Sequence, residues 1–226
     1  MLIRDADPVR DAAACAAVYA PAVLEGAASF EEVAPDAHEM GRRIASVRAG
    51  WPWLVADVDG VVAGYAYASR HRERAAYRWA GDVSVYVSAE HRRRGVARAL
   101  YVELLDRLEG QGMRMACAGI ALPNPASVAL HEALGFRPVG IYRSIGFKLG
   151  RWWDVGWWQR PLGCPGPAEG APPEPRPPHG CASPRANPGL SGVLPAESAQ
   201  TTESLTGPSA KAPIPTKIAS CSDTEV

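Results

Sequence analysis

The sequence predicts an α/β domain over residues 1–162, and three observations lead to this prediction. Apolar residues follow two periods in turn, the alternation typical of strands and the three-or-four-residue spacing typical of helices. The pair Asp59 and Gly60 separates two β-forming segments, as in a tight hairpin. Gly95 stands directly before a long amphipathic segment, so that a strand, a turn and a helix follow one another.

The first third of the domain is predicted to contain one strand and two helices. Residues 2–6 alternate like a strand, and residues 12–24 are apolar at helical spacing, with Pro21 expected to end or bend that helix. An Asp-x-x-Glu capping-box pattern opens a second helix, which begins after Asp36 and runs to about Arg48.

The middle of the domain is predicted to supply three strands and a long helix. Residues 53–58 and 61–69 form the hairpin strands, and the polar loop RHRERAAYRW leads to a third strand at 81–88. Between residues 91 and 111 the apolar positions return to helical spacing, on the side formed by Ala97, Leu100, Leu104 and Leu108. The unpaired N–H groups at the start of this helix, beside a glycine turn, can hold a pyrophosphate.

The last part of the domain is predicted to be a strand, a helix and two more strands. MACAGIAL at residues 115–122 reads as the strand. Asn124 is a suitable helix N-cap, a proline follows at the first helical position, and Gly135 stands just past the end. Two short strands, at roughly 139–147 and 151–160, complete the domain.

The remaining segment, residues 163–226, differs from the domain in composition. It contains none of the chain's Phe, Tyr or Trp residues and 13 of its 21 prolines. Such a segment cannot bury enough apolar surface to offset the entropy of ordering it. We therefore expect a proline-rich disordered tail whose removal leaves the thermal stability of the domain nearly unchanged.

Charge and cysteine content exclude several classes of protein. The chain carries 24 basic and 24 acidic residues, so no net field favours nucleic acid. Its longest apolar run is shorter than a membrane span, and its N-terminus lacks the order of a signal peptide, so we expect a cytoplasmic protein with no membrane partner. The five cysteines lack metal-site spacing, which predicts reduced, non-catalytic thiols and no bound metal.

Several segments resemble a known superfamily. RRRGVA at residues 92–97 matches the Q/R-x-x-G-x-G/A signature of the GNAT acetyltransferases, and residues 124–136 match their N-x6-Y-x3-G-F motif, with His131 in place of the tyrosine. VYVS, LPN, HEALGF, GFK and DVGWWQ resemble the phosphinothricin N-acetyltransferases more narrowly. The resemblance spans nearly all of residues 1–162. It implies the GNAT fold, with a mixed, mostly antiparallel sheet, a splayed central strand pair and flanking helices.

The resemblance implies acetyl-CoA as co-substrate. Its pyrophosphate would lie on the N–H groups of the turn before the long helix, and its pantetheine arm would pair with the strand that contains VYVS. Asn124 would bond the pantetheine amides, and its structural alternative is a helix N-cap without a ligand. The residues implied in acetyl-CoA binding are Val85, Tyr86, Val87, Arg92, Arg93, Arg94, Gly95, Val96, Ala97, Asn124 and Ser127.

The resemblance also implies a general base and a proton donor. Asp82 occupies the position of a glutamate base, and its side chain is shorter by one methylene, about 1.5 Å of reach. His131 stands where many GNAT enzymes protonate the leaving thiolate, and imidazole can do acid or base work. The structural alternatives are a strand-start cap for Asp82 and a satisfied core side chain for His131. Tyr86 and Tyr101 are expected to pack in the core.

Acceptor binding is implied for Phe30, Arg72, Arg74 and Tyr77. Guanidinium groups suit oxyanions, so two arginines would hold both anionic ends of a phosphinothricin-like amino acid and leave its amine at the thioester. The structural alternative is a solvated, charged loop.

Three functions follow from these expectations. The first is N-acetylation of a glutamate analogue such as phosphinothricin, methionine sulfoximine, methionine sulfone or arsinothricin, which implies detoxification and herbicide resistance. The second is acetylation of an unrelated amine, and the third is a non-enzymatic acyl-CoA-binding scaffold whose tail docks a partner. The resembling enzymes are homodimers, so we also expect a homodimer.

Overall fold

A seven-stranded sheet and four α-helices make up the described part of the protein, a computed structural model that describes residues 1–163 and 172–178. The strands are β1 (Leu2–Asp5), β2 (Trp53–Val58), β3 (Val61–Arg70), β4 (Ala80–Val87), β5 (Met115–Leu122), β6 (Arg137–Lys148) and β7 (Arg151–Pro161). The helices are α1 (Ala12–Leu24), α2 (Ala37–Arg48), α3 (Val96–Gly110) and α4 (Pro125–Ala133). The strand order is β1-β2-β3-β4-β5-β7-β6, with β4 and β5 parallel and the other neighbours antiparallel. The predicted mixed, mostly antiparallel sheet is confirmed.

The first two helices begin and end close to where the sequence predicts. Pro21 does not end α1, which continues to Leu24 although a proline cannot donate a backbone hydrogen bond. Helix α2 begins after Asp36, whose carboxylate accepts the N–H of Glu39 at 2.7 Å. The Glu39 carboxylate binds Arg43 at 2.8 Å, so its described contacts lie along the helix and do not complete the capping box.

The central strands β4 and β5 diverge. Within the described residues their ladder joins residues 80–82 to 115–117 and ends at the pair Asp82 and Cys117. Strand β5 pairs with β7 along its whole length, whereas β4 pairs with β3 on its other side. The edge of residues 83–87 therefore faces a gap in the middle of the sheet.

Two apolar clusters hold the helices on the sheet. The larger cluster contains Leu100, Leu104 and Leu108 of α3, the side of that helix that the sequence predicts to be apolar. The smaller cluster joins α1 and α2 to β2 and β3 around Met40 and Trp53. Full burial of each leucine contributes about 1.5–3 kcal/mol to stability, so α3 is firmly placed. Among the described helices, none is both long and apolar enough to cross a membrane.

Residues 172–178, which we call the C-terminal strap, contact the domain. The N–H of Arg176 donates to the backbone oxygen of Gln111 at 2.8 Å, and Gln111 Nε2 donates to the carbonyl of Arg176, also at 2.8 Å. Trp79 Nε1 donates to the carbonyl of Pro173 at 2.9 Å. The strap thus ties the end of α3 to the loop before β4.

The rest of the predicted tail, residues 164–171 and 179–226, lies outside the described residues. The predicted domain boundary at residue 162 stays a prediction. The strap lies beyond that boundary, and its contacts change the effect expected of removing the tail.

A chain that ends at Gly163 is expected to be less stable than one that ends at residue 178. It loses three hydrogen bonds, each worth about 1 kcal/mol, whereas the proline-rich strap has little backbone entropy to lose on ordering. We expect a difference of up to about 3 kcal/mol in the free energy of unfolding, measured by urea denaturation of the two chains. Equal stabilities would show that the strap contributes nothing.

Candidate active site

A cavity of about 930 Å³ opens at the gap between β4 and β5. Its walls come from α1, β4, the turn before α3, the first half of α3, β5 and α4. The structure places most of the residues predicted to bind acetyl-CoA around this one cavity, whereas Arg94 is not among its lining residues. Those that line it are Val85, Tyr86, Val87, Arg92, Arg93, Gly95, Val96, Ala97, Asn124 and Ser127.

The turn before α3 has the features of an anion site. Helix α3 begins after Gly95 with no hydrogen bond from a capping side chain. Arg93 and Gly95 have φ angles of 58° and 80°, and turns with such left-handed residues can point successive N–H groups to one concave side. Apart from its chain neighbours, no atom of residues 1–163 or 172–178 would lie within 4 Å of a Cβ atom on Gly95, so the space beside this glycine is open. The positive helix end and the neighbouring Arg92 and Arg98 favour a phosphate there.

The open edge of β4 suits an extended molecule with amide groups. Residues 83–87 line the cavity, and because their other edge bonds to β3, their remaining backbone groups face the gap. An exposed strand edge binds an extended chain as if it were a further strand. An anion site at one end and a strand edge along the side fit the pyrophosphate and the pantetheine amides of CoA.

His131 is buried, and both of its ring nitrogens are occupied. Its Nδ1–H donates to the carbonyl of Ser127 at 2.7 Å, and its Nε2 accepts from the Tyr101 hydroxyl at 3.1 Å. Burial lowers the pKa of His131, so the ring is neutral at pH 7. Burial raises the pKa of Tyr101, which keeps its proton. Tyr101 packs in the core as predicted, but it also lines the cavity beside His131.

Asn124 acts as the N-cap of α4 and lines the cavity as well. Its Oδ1 accepts the N–H of Ser127 at 3.1 Å. A cap that uses Oδ1 leaves the side-chain NH₂ group as a donor, so the structural and the ligand-binding interpretations of Asn124 are compatible.

The buried His131 is expected to make the protein less stable in mild acid. Its pKa is lowered in the folded state, so below the ordinary value of 6.5 the unfolded state binds more protons than the folded state. As the pH is lowered below that value, the free energy of unfolding should therefore decrease by up to about 1.4 kcal/mol per pH unit. Urea denaturation at several pH values measures this slope, and the variant His131→Asn should have a smaller one. An equal slope in the variant would assign the pH dependence to other groups.

Asp82 lies at the last paired position of β4, where the gap begins. Its Oδ1 is 2.6 Å from Nδ1 of His71, the residue that follows β3. Cys117 is buried opposite on β5, and ligand atoms of the three side chains lie within 4.8 Å of one another. Burial raises the pKa of Cys117 to about 11, so its thiol stays protonated at neutral pH. Asp82 is the third residue of β4, and its carboxylate forms a hydrogen bond with His71. This position and this partner do not fit the alternative in which Asp82 caps the start of the strand.

Two of the four predicted acceptor residues lie beside His71. Arg72 donates to the His71 carbonyl at 2.8 Å, and its guanidinium lies 5.8 Å from the ring of Trp157. The rings of Tyr77 and Trp157 are each 6.0 Å from the His71 ring. Arg72, Tyr77 and Trp157 thus surround His71 near the start of the gap.

The other two predicted acceptor residues make their described contacts elsewhere. Arg74 is exposed and precedes the short 3₁₀ helix Ala75–Tyr77. Phe30 packs so closely on Gly146 of β6 that the position leaves no room for a Cβ atom. Among the contacts of the described residues, none is shared by Arg72 and Arg74.

Sequence reasoning missed three side chains of this region, His71, Tyr101 and Trp157. His71 belongs to the charged stretch RHRER and carries no signal of its own. Its partner is set by the register of β3 and β4, in which Ser69 faces Asp82. An antiparallel pairing of the strands on either side of the polar loop is the one sequence-level signal that could have placed His71 near Asp82.

Residues 6–157 match the pattern of the acetyltransferase (GNAT) domain. The chain is 50% identical over 117 residues to a phosphinothricin N-acetyltransferase of Streptomyces viridochromogenes, a match that covers 52% of this chain and 64% of that protein. It is 47% identical over 154 residues to a phosphinothricin N-acetyltransferase of Alcaligenes faecalis, which covers 67% and 78%. It is 36% identical to an L-methionine sulfoximine/L-methionine sulfone acetyltransferase of Salmonella typhimurium over 72% of this chain and 95% of that one. The chain thus spans less than two thirds of the Streptomyces relative.

Solved structures show the same similarity. A phosphinothricin acetyltransferase of the GNAT superfamily from Sinorhizobium meliloti, in complex with AcCoA, has a TM-score of 0.69 at 42% identity, covering 72% of this chain and 88% of that one. A ribosomal-protein-alanine N-acetyltransferase from Brucella melitensis has a TM-score of 0.70 at 34% identity, covering 72% and 100%.

Proposed function

Because this chain belongs to the GNAT acetyltransferases, we propose that it transfers an acetyl group from acetyl-CoA to the α-amino group of a small glutamate analogue. The observation that carries the proposal is the gap between β4 and β5, which opens just after the ladder pair of Asp82 and Cys117 and is lined by the uncapped start of α3. Relatives named for phosphinothricin and for methionine sulfoximine or sulfone support the class of acceptor.

The turn and the strand edge would hold the co-substrate. Arg92, Arg93 and the first N–H groups of α3 would bind the pyrophosphate. The backbone of residues 83–87 would form hydrogen bonds with the pantetheine amides, together with the side-chain NH₂ group of Asn124. Bound in this way, acetyl-CoA supplies an acetyl group activated as a thioester.

Two pairs of side chains would accept and donate the protons of the reaction. Asp82 is the proposed carboxylate of the general base, because it lies where the gap begins and has an imidazole partner. Tyr101 and His131 are the proposed donor pair for the departing sulfur, because both line the cavity and Tyr101 keeps its proton. To donate to the sulfur, the Tyr101 hydroxyl would turn its one proton away from Nε2 of His131.

Acceptor recognition is proposed for the loop beside His71. Arg72 would bind an anionic group of the acceptor, since its guanidinium lies close to His71 and Trp157. Tyr77 would form one wall of this site. Arg74 would reach the same acceptor only after its loop changes conformation. Phe30, which packs on β6, would contact the acceptor from that side.

The N-terminal amine of a protein is the second candidate acceptor. The similarity to the Brucella melitensis ribosomal-protein-alanine N-acetyltransferase favours it. A thiol-release assay with acetyl-CoA compares phosphinothricin, methionine sulfone, glutamate, spermidine and an alanine-terminated peptide. The proposal predicts the highest kcat/KM for one of the first two compounds. Turnover of the peptide or of spermidine alone would replace it.

We propose detoxification of such glutamate analogues, and hence herbicide resistance, as the role of this activity in the cell. The cytoplasm is the proposed compartment, since acetyl-CoA is available there. The free, buried thiols of Cys15 and Cys117 are compatible with that reducing environment.

The protein is proposed to be a homodimer. Strand β6 is the outer strand of the sheet, and most of its side chains are exposed. Five large apolar side chains are among them, and such a patch is typical of a protein interface. These are Val139, Ile141, Tyr142, Ile145 and Phe147.

Replacement of Ile141 by lysine is expected to convert the dimer to monomer. A charge placed within a paired apolar surface loses its water without gaining a partner. Val102 of α3 offers a matched control, since it is 44% exposed against 43% for Ile141, and Val102→Lys should leave the dimer intact. Sedimentation at micromolar concentration measures both variants, and a monomeric wild type would refute the proposal.

A further inference from the structure

His71 and Asp82 form a hydrogen-bonded pair at the start of the gap between β4 and β5. We propose that Nε2 of His71 is the atom that removes the proton from the acceptor amine, and that Asp82 is the residue that positions the ring. This inference rests on the proposed acetyltransferase function. It makes His71 a catalytic residue and makes Asp82 a positioning residue that acts through it.

The hydrogen bond fixes which nitrogen of His71 can accept a proton. An ionised carboxylate can only accept hydrogen bonds, so at 2.6 Å from Asp82 Oδ1 the proton lies on Nδ1. The neutral ring then keeps its lone pair on Nε2, on the far side from Asp82. A carboxylate that holds a histidine in this way also stabilises the imidazolium that forms when Nε2 takes a proton.

The strand register places this pair at the entrance of the gap. Asp82 pairs with Ser69 of β3 on one side and with Cys117 of β5 on the other, and His71 follows two residues after Ser69. Residues from Val83 onwards line the cavity. The imidazole therefore lies beside the last pair of the β4–β5 ladder, next to the point where the gap opens.

Aromatic side chains hold the His71 ring from two directions. The ring of Tyr77 approaches it at 64° and the ring of Trp157 at 82°, both edge to face. The titratable and charged groups that face His71 are Asp82 of β4, Cys117 of β5, Tyr77 of the loop and Arg72 of its own segment. Of these, only Asp82 has a described hydrogen bond to the ring, so it alone determines the tautomer.

The proton and electron pairs balance across the transfer. The amine nitrogen gives up one proton to His71 Nε2 and forms the new C–N bond to the acetyl carbon. The electrons of the broken C–S bond stay with sulfur, and one proton reaches that sulfur from the side of Tyr101 and His131. The imidazolium of His71 returns its proton to water, and the Tyr101 and His131 pair regains from water the proton that it gave to sulfur, so no oxidant or further reactant is needed.

The variant His71→Asn separates the two parts of this pair. An asparagine amide can keep a hydrogen bond to Asp82 from nearly the position of Nδ1, but it has no group in place of Nε2. We expect kcat to fall by about 100-fold or more with little change in the KM for acetyl-CoA. His38→Asn on the exposed surface of α2 is the control and should behave as wild type.

Two further readouts distinguish catalysis from a structural role. Imidazole added to His71→Ala should restore part of kcat, because a free base can occupy the vacated space. The double variant His71→Asn/Asp82→Asn should be hardly slower than His71→Asn alone, because residues that act as one unit are not additive. Each experiment uses the full chain with acetyl-CoA and phosphinothricin.

The outcomes separate this inference from the proposed function. An active wild type together with near-wild-type kcat in His71→Asn, or multiplicative losses in the double variant without imidazole rescue, would overturn the role of His71 alone. A wild type that turns over no amine would instead overturn the proposed function.

Discussion

Asp82→Asn is expected to lower kcat at neutral pH by about 100-fold or more, the usual contribution of general base catalysis. Asparagine has nearly the same size but no charge. It therefore accepts a weaker hydrogen bond from Nδ1 of His71, and it does not stabilise an imidazolium. The loss should shrink at high pH, where the acceptor amine is already unprotonated. The KM for acetyl-CoA should be retained, because Asp82 is not among the residues that line the cavity.

Asp57→Asn is a matched control for this variant. The Asp57 side chain is 24% exposed and has an ion pair with Arg4, whereas the Asp82 side chain is 26% exposed and has a hydrogen bond with His71. The control should have wild-type kinetics. If Asp82→Asn were also nearly unchanged and His131→Ala showed the pH-dependent defect, the base would have to be assigned to His131.

Gly95→Val is expected to raise the KM for acetyl-CoA by about tenfold or more, which corresponds to a loss of at least ~1.4 kcal/mol in binding. The space beside Gly95 is open in the protein, so a branched side chain would fill the site proposed for the pyrophosphate. The KM for the acceptor should change much less, because Arg72 and Tyr77 belong to another part of the chain. Initial rates at varied concentrations of each substrate measure both constants.

Gly112→Val is a control that distinguishes the effect of backbone strain from the effect of filling the proposed pyrophosphate site. Gly112 has a φ of 84°, close to the 80° of Gly95, and a Cβ atom there would also meet nothing within 4 Å. Valine in a left-handed conformation costs about 1–2 kcal/mol of stability at either position. Gly112 does not line the cavity, so only its variant should keep the normal KM for acetyl-CoA. An increase confined to the acceptor KM of Gly95→Val would refute the pyrophosphate assignment.

Local signals in the sequence were sufficient for most of the fold. Helix α1 has the predicted bounds, and the Asp-Gly pair does join β2 to β3, because periodicity and turn chemistry act over a few residues. Strand β6 begins at Arg137 and ends at Lys148, longer than the predicted 139–147, because it pairs with β7 beyond its apolar positions. Strand ends depend on the partner, which no local pattern contains.

The candidate site was predictable where it depends on the backbone and unpredictable where it depends on long-range pairs. A glycine turn before a helix is visible in the sequence, and so is the capping pattern of Asn124. The hydrogen bond between His71 and Asp82 depends on the register of two strands, and the hydrogen bond between Tyr101 and His131 joins two helices. Neither follows from composition or spacing.

Thiol release by the purified full chain, with acetyl-CoA and phosphinothricin, tests the proposed activity most directly. The proposal predicts release that requires both compounds, saturates with each of them and yields phosphinothricin acetylated on its amine, as identified by mass spectrometry. Methionine sulfone in place of phosphinothricin should also be acetylated. Background-level release with both acceptors, from a folded protein that binds acetyl-CoA, would contradict the proposal.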